Sequence, residues 1–480
     1  MNGSKPYGPL DGQRTSGEVP TRFAEQAIMS RPLRIAMFLG RFPVVSETFI
    51  VRQITGMIDL GHEVEIYADS RSEPGEPIHP EITKYRLLER TTFMELPPET
   101  APYEMPVWPI TGRTWPPGSA TSIHNSLRVA RALPKFFLCL RKAPRLACQV
   151  LDRREYGYQA ASLSAMLRLA RLCRRPVHYD VLHAHFGPAA NSFRFARALW
   201  DAPLIVSFHG YDFSTVPRKE GARVYQKLFA TADAVTVNSD YTWRQVKALG
   251  CPAARLNKLP VGLDPSAFPF RDRALKPGEP VRLLTVARLT EIKGHAFVVR
   301  AVAKLRGSLG DVRYEIAGDG PLRKELEQLV EELGLRDAVT FHGACDTGEV
   351  QRLMAEAHLF VLASVSVAGD QEGQGLVLQE AQAAGLPVVA TNHGALPEGL
   401  MPGESGFLVP ERNVDALAER LDYLVRRPEL WPAMGRAGRK YVATHYDIRR
   451  LNSDLVRLYT DTIDVHGRRN QPARWNSAKL

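Results

Sequence analysis

"LFVLASVSVAGDQEGQGLVLQEAQAAGLPVVAT" (359–391) is the stretch on which the fold turns. It opens with one apolar run, "LFVLAS" (359–364), and closes with another, "LPVVAT" (386–391). Between them residues 376–385 carry a helical pattern, preceded by the glycine loop "EGQG" (372–375). Runs this short and this apolar are buried on both faces, which is the condition of parallel strands covered by helices. The stretch therefore reads as strand, glycine loop, helix, strand.

The same alternation extends in both directions. Upstream in the second half lie "VRLLTVAR" (281–288), "RYEIAGDG" (313–320) and "AVTFHG" (338–343), with helical patterns at 294–307, 321–334 and 347–357. The first half repeats the arrangement with "RIAMFLG" (34–40), "EVEIYA" (63–68), "DVLHAHF" (180–186), "PLIVSFHG" (203–210) and "AVTVNS" (234–239). The class is α/β, with two Rossmann-like doubly wound domains facing across a cleft and a junction near 264–280, rich in Pro and charge. Ligands of such sheets sit at the C-terminal strand ends. The predicted divisions are a tail at 1–30, a first domain at 31–270, a second at 275–445, a C-terminal helix at 446–465 that packs back on the first domain, and a tail at 466–480.

A segment at 95–178 breaks the alternation. It begins Pro-rich and continues as basic amphipathic helices. From Arg113 to Arg175 it carries thirteen basic residues against two acids, Asp152 and Glu155, within a chain of net charge +10. The stretch 59–99 beside it is acidic. Either this insertion packs on the first domain with a solvated basic face, or segment 113–175 meets an anionic membrane surface. It lacks the interleaved aromatics and reader motif of a nucleic-acid binder, so no nucleic-acid partner is expected. No run reaches the roughly 18 apolar residues of a membrane span, and the first 30 residues lack the apolar core of a secretory signal. The five cysteines have no ligand spacing, which suits a reducing compartment. The expected location is cytoplasmic, with peripheral attachment to the inner membrane face as an option.

The chemistry concentrates at strand ends. Glu372 and Glu380 are eight positions apart, which on one helix would be about 12 Å, beyond the roughly 5–9.5 Å of a glycosidase pair. Glu372 also lies in the loop and Glu380 inside the helix, so they read as separate contacts. A glycine loop leading into a helix N-terminus binds phosphate through unpaired amides. Arg288 ends a strand and Lys293 precedes a helix; two cations so placed suit a diphosphate. In the first half His209 ends a strand in "SFHGYD" (207–212), with Asp212 beside it to orient it or bind acceptor. His183 and His185 form an H-x-H without further ligands at metal spacing, and no D-x-D is present, the nearest being Asp370-x-Glu372. The first loop, "RFPVVSETFI" (41–50), lacks a dinucleotide fingerprint. There Ser46 reads as a helix N-cap and Glu47 as a residue facing the cleft.

Taken together, the Glu372/Glu380 spacing, the Arg288/Lys293 pair, "EIAGDGPLRKELEQL" (315–329) and "AGLPVVATNHGALPEGLMPGESGFLVP" (384–410) resemble glycosyltransferase family 4, the retaining enzymes of the GT-B fold, over about 33–460. "SETFI", "LHAHFGPAA", "SFHGYD" and "VNSDYTWRQV" resemble the subgroup around colanic-acid and other exopolysaccharide transferases. The resemblance implies transfer of a sugar from a UDP-, GDP- or ADP-sugar to a saccharide or polyprenyl-linked acceptor, with no permanently bound cofactor and no essential metal. It implies that Arg288 and Lys293 neutralise the diphosphate and that Glu380 holds the ribose. Glu372 and the backbone of Gly373, Gly375, Leu376 and Val377 would hold the donor sugar and phosphates. His209 would touch the transferred sugar from the opposite domain, His209 and Glu372 being the catalytic candidates and Glu47 and Asp212 the acceptor-side ones. The loop after Val339, Thr340 and Phe341 would frame the base. Gln374 stands where the family commonly has Phe, which bears on donor selection. The alternative is a sugar-nucleotide isomerase or epimerase on the same scaffold.

Overall fold

The computed structural model describes residues 31–44, 47–73, 76, 78–96, 122–175, 177–309 and 311–470. The described residues from Leu33 to Asn470 belong to one compact unit. It contains two parallel sheets. The first has the order β3-β2-β1-β4-β5-β6-β7, from β1 (Arg34–Phe42), β2 (Glu63–Arg71), β3 (Thr91–Phe93), β4 (Val181–His185), β5 (Leu204–Phe208), β6 (Ala234–Val237) and β7 (Leu256–Lys258). The second has the order β10-β9-β8-β11-β12-β13, from β8 (Val281–Val286), β9 (Val312–Ala317), β10 (Val339–Gly343), β11 (Leu359–Leu362), β12 (Val388–Thr391) and β13 (Gly406–Val409). In each sheet the order reverses once, between β1 and β4 and between β8 and β11, and ligand crevices of open α/β sheets form beside such points. Every strand from the alternation is present. The short strands β3, β7 and β13 are additional; β3 and β7, at three residues each, carry too little pattern to be read.

Apolar layers cover both faces of each sheet. On the first, Ile35, Met37 and Leu39 pack with Ile54 and with Leu455 and Tyr459, while Ala36 and Phe38 face Met166, Leu169 and Leu172 of the insertion. Five helices matter for the site and its flanks: α1 (Thr48–Asp59), α2 (Ser122–Lys142), α3 (Asp240–Ala248), α4 (Leu376–Ala383) and α5 (Ile448–Asn470). Ser46, expected to cap α1, lies outside the described residues.

The insertion packs on the first sheet, and part of its charge is answered inside the molecule. Arg168, fully buried, donates to both carboxylate oxygens of Asp69 at 2.7 and 3.0 Å. Arg171 pairs with Glu95 and Arg175 with Glu65. The acidic stretch beside the basic one is thus a structural partner of its C-terminal part.

The C-terminal helix differs from its expected end. It continues to Asn470, so part of the segment read as a tail is helical, and His466 is buried beside Asp201 of the first lobe. Polar sequence hid this, because only one face of α5 is apolar. That face packs tightly on α1: a Cβ on Gly56 would lie 1.8 Å from Asn452 Nδ2.

Candidate active site

In the second lobe, the loop after β11 carries the opening motif. Gly375 sits at the N-cap of α4 with φ 73°, and an added Cβ would lie 2.3 Å from Leu396 Cδ2. This left-handed turn lets α4 start abruptly, leaving the first amides, Leu376 and Val377 among them, without intrahelical partners. The Glu372 carboxylate accepts from Lys293 Nζ and, at 3.0 Å, from the Ser364 hydroxyl. Burial pushes Glu372 up, but the Lys293 ammonium and these hydrogen bonds outweigh it and hold the carboxyl below its ordinary value. The Glu372 amide donates to His393 Nε2 at 3.1 Å, so His393 Nδ1 carries the proton it gives to Glu411 at 2.9 Å. Glu411 also accepts from the Ser366 amide at 2.7 Å. His393 and Glu411 thereby fix the loop from behind.

Arg288 stands exposed after β8, across the strand-order reversal from that loop, and makes no ion pair among the described residues. His295 Nε2 donates to its carbonyl at 3.1 Å, which fixes its backbone and leaves the guanidinium uncommitted. Glu380 lies 3.8 Å from Arg52 of α1, a residue of the opposite lobe. Burial raises its pKa to about 7, with Arg52 opposing.

The first lobe presents a different kind of surface. His183, His185 and His209 stack in a row, with ring centroids 4.5 and 5.3 Å apart. His183 Nδ1 meets the Tyr459 hydroxyl at 2.6 Å and Nε2 the Ser207 hydroxyl at 2.7 Å, so both its nitrogens are engaged by protein. His185 Nδ1 lies 3.0 Å from His209 Nε2. Phe49 and Phe186 flank the His209 ring at 4.8 and 4.7 Å. Burial depresses all three imidazoles, His185 to about 3, so the row is neutral at physiological pH. His209 Nδ1 is buried without a partner among the described residues. Glu47, at the start of α1, is raised by burial to about 8 against the opposing charge of Arg41, so it is largely protonated at neutral pH.

Asp212 is engaged by backbone amides. Fully buried, its carboxylate accepts the amides of Gly210 at 2.8 Å, His209 at 3.1 Å and Gly187 at 3.3 Å. It shapes the turn that presents His209, and it contacts the histidine's backbone rather than its ring. Short loops after buried strands need such an acceptor for their amides, a role that an H-G-Y-D sequence alone does not separate from ligand binding.

The two lobes meet at the glycine loop. A Cβ on Gly373 would lie 2.1 Å from the His209 carbonyl oxygen. The Gly373 carbonyl accepts from the hydroxyls of Ser239 at 3.0 Å and Thr242 at 3.2 Å, at the N-terminus of α3. Ser214 donates to Asp370 at 2.6 Å. His209 and the Glu372 loop are therefore adjacent, with Lys293 and the start of α4 on one side. A separate cleft of about 740 Å³, lined by Lys258, Glu398, Tyr446, Arg450 and Asp454 among others, includes none of these residues. Ser364, His393, Glu411, Arg52, Ser239 and Thr242 went unread in the sequence. His393 carried a signal there, inside "ATNHGALPE", as did Ser239 and Thr242, inside "VNSDYTWRQV".

Two family models cover most of the described chain. Residues 46–262 match the Glycosyl transferase 4-like domain, and residues 268–441 match Glycosyl transferases group 1. The putative colanic acid biosynthesis glycosyltransferase WcaL of Escherichia coli K12 is 32% identical over 435 residues, 89% of this chain and 99% of WcaL. The chain belongs to glycosyltransferase family 4. This glycosyltransferase is also 33% identical to the amylovoran biosynthesis glycosyltransferase AmsK of Erwinia amylovora, over 80% of its own length and 89% of AmsK. Its two facing Rossmann-like lobes are the GT-B architecture. The crystal structure of Anabaena HepE in complex with UDP-glucose aligns with TM-score 0.61 at 16% identity, covering 89% of the transferase and all of HepE.

Proposed function

We propose that this glycosyltransferase moves a sugar, with retention, from a nucleoside-diphosphate sugar to a saccharide or polyprenyl-linked saccharide in exopolysaccharide assembly. The observation that carries the reading is the cluster at the reversal of the second sheet: Lys293 and the open N-terminus of α4 flank Glu372, and Arg288 stands exposed after the adjoining strand β8, without an ion pair among the described residues. As the glycosidic bond breaks, negative charge grows on the diphosphate, and donors fixed in advance at that place are worth about 3 kcal/mol each. Glu380 binds the ribose, and His209 Nδ1 is offered to the transferred sugar. Glu372 is tied to Lys293 and Asp212 to backbone amides, so neither serves as a covalent nucleophile; the acceptor attacks from the leaving-group side and a phosphate oxygen takes its proton. Glu47, protonated, donates to an acceptor oxygen. WcaL and AmsK, named for colanic acid and amylovoran, support the polysaccharide class, and HepE with UDP-glucose supports a nucleotide-sugar donor.

A thermal-shift screen with UDP, GDP, ADP and their sugars identifies the base, since a ligand bound to the folded state raises the midpoint by mass action. Labelled donor is then incubated with and without acceptor saccharide. Transfer that requires acceptor is expected; epimerised donor formed without acceptor would establish the isomerase instead.

The enzyme is cytoplasmic in this reading and touches the inner membrane face through α2. No helix among the described residues is long and apolar enough to cross a membrane. On α2, Val129, Leu133 and Phe137 recur at four-residue spacing and are 53, 52 and 61% exposed. Arg141, Lys142 and Arg145 are exposed just beyond them, and no acid occurs from 105 to 151. Apolar side chains with unopposed cations suit an anionic bilayer, where the lipid-linked acceptor would reside. Flotation with phosphatidylglycerol vesicles, lost in Phe137→Glu and absent with phosphatidylcholine, is expected; flotation unchanged by the substitution overturns the docking face.

A further inference from the structure

We infer that Gln374 is an interdomain clasp that positions the donor loop against the hinge, rather than a residue that reads the donor. Its side chain is 7% exposed, and its amide forms two bonds with a single residue of the connecting segment. The Val261 amide donates to Gln374 Oε1 at 2.7 Å, and Gln374 Nε2 donates to the Val261 carbonyl at 2.8 Å. A primary amide thus imitates one rung of a β-ladder.

The place of that rung gives it consequence. Val261 belongs to the strap from Leu259 to Asp264 that leaves β7 for the second lobe. The chain returns beside it: the Leu263 amide donates to the Tyr446 carbonyl and the Ile448 amide to the Leu263 carbonyl, both at 2.9 Å. The two crossings form one paired hinge, packed so closely that a Cβ on Gly262 would lie 2.8 Å from Ile448 Cα. Gln374 fastens the donor loop to this hinge, two residues from Glu372 and one from the glycine against which His209 rests. Any rotation of the lobes that separates His209 from Glu372 must stretch or break the Gln374–Val261 pair. A Phe at this position could make neither bond.

The inference rests on the transfer reading of the site, and its primary test needs no turnover. Hydrogen exchange is followed at the Val261 amide, together with kcat and the affinity for UDP and GDP. Gln374→Met keeps length and loses both bonds: exchange at Val261 is expected to accelerate at least tenfold and kcat to fall about tenfold, with nucleotide affinity within threefold of wild type. Gln374→Glu keeps the shape and the acceptor for the Val261 amide, but sets a carboxylate against the Val261 carbonyl. Protonation restores the donor, so protection at Val261, corrected for intrinsic exchange, should recover as pH falls from 8 to 5 in this variant alone. Unchanged Val261 protection in the Met variant, or a pH-independent Glu variant, overturns the clasp. So does nucleotide affinity that falls in step with kcat, which makes Gln374 a donor contact. If wild type transfers no sugar from any nucleotide donor, the functional reading fails while the exchange result still decides the clasp.

Discussion

The two lobes place their binding groups at equivalent points, the C-terminal strand ends beside the strand-order reversal, but they fill those points with opposite electrostatics. The first lobe sets out a stacked row of neutral imidazoles, a protonated Glu47 and an Asp212 enclosed by backbone amides. The second sets out Lys293 ion-paired to Glu372, an exposed Arg288 without an ion pair among the described residues and the positive end of a helix. A leaving diphosphate is a strong localised anion and needs charge. A sugar and its acceptor are neutral polyols and need oriented hydrogen bonds in a site whose own charges do not compete. The difference matches a division of labour in which one lobe stabilises the charge that develops and the other holds what is transferred.

The comparison breaks most directly at Arg288. Its guanidinium has no ion-pair partner among the described residues, so Arg288→Ala should leave the melting temperature unchanged and lower kcat/KM for transfer about 10²–10³-fold. Lys293→Ala should cost as much activity and also stability, because Glu372 is left buried and unpaired. Full activity in Arg288→Ala would remove the second lobe's claim to the diphosphate.

Glu47 tests the neutrality of the first lobe. Its folded pKa, about 8, lies above the ordinary value near 4.5. The folded state therefore keeps a proton that the unfolded state releases. The resulting stabilisation is complete below the unfolded pKa and is lost as pH rises through the folded one. Between pH 5 and pH 8 wild type should lose about 3–4 kcal/mol that Glu47→Gln does not, read from urea midpoints at each pH. Parallel pH profiles would mean that Glu47 is ionised in the fold.

Asp212 separates scaffold from chemistry. Asp212→Ala removes a charged acceptor from three amides and should cost about 2 kcal/mol in urea unfolding. The acceptor KM of the folded enzyme should stay within a few-fold of wild type. A rise of the acceptor KM by tenfold or more would return Asp212 to the acceptor site.

How much of this was legible follows the range of the signals. Strands such as "LFVLAS" declare themselves because burial on both faces forces a continuous apolar run, and the reading of two doubly wound lobes needed nothing else. Glu372 and the Gly375 turn were visible because their chemistry is local to one loop, and Lys293 because a cation just past a strand end is itself a local pattern. Asp212 stayed open between orienting His209 and binding acceptor, because a carboxylate near a strand-end His looks the same in sequence whether amides or a ligand satisfy it. Arg52 and Val261 could not be read at all: each matters only through a residue more than a hundred positions away, and one sequence records no such pairing. The basic segment showed the same blind spot, since Arg168 finds Asp69 only in the fold.

The smallest effect lies where the lobes touch. The Gly373 carbonyl accepts from both Ser239 and Thr242, and a carbonyl oxygen has two lone pairs. Losing one hydroxyl leaves the oxygen satisfied by the other, so Ser239→Ala and Thr242→Val should each lower kcat only about twofold to threefold. Together they leave a buried carbonyl with no donor, and that penalty, about 1–3 kcal/mol, appears only in the double variant. Ser239 also caps α3 by accepting the Thr242 amide at 3.0 Å, so its single variant should lose stability as well, whereas the Thr242 variant should not. A double-mutant cycle on kcat is therefore expected to show a coupling of about 1 kcal/mol. Simple additivity would mean that the glycine loop is not held by this contact during turnover, and that the two lobes act on the donor without a fixed separation.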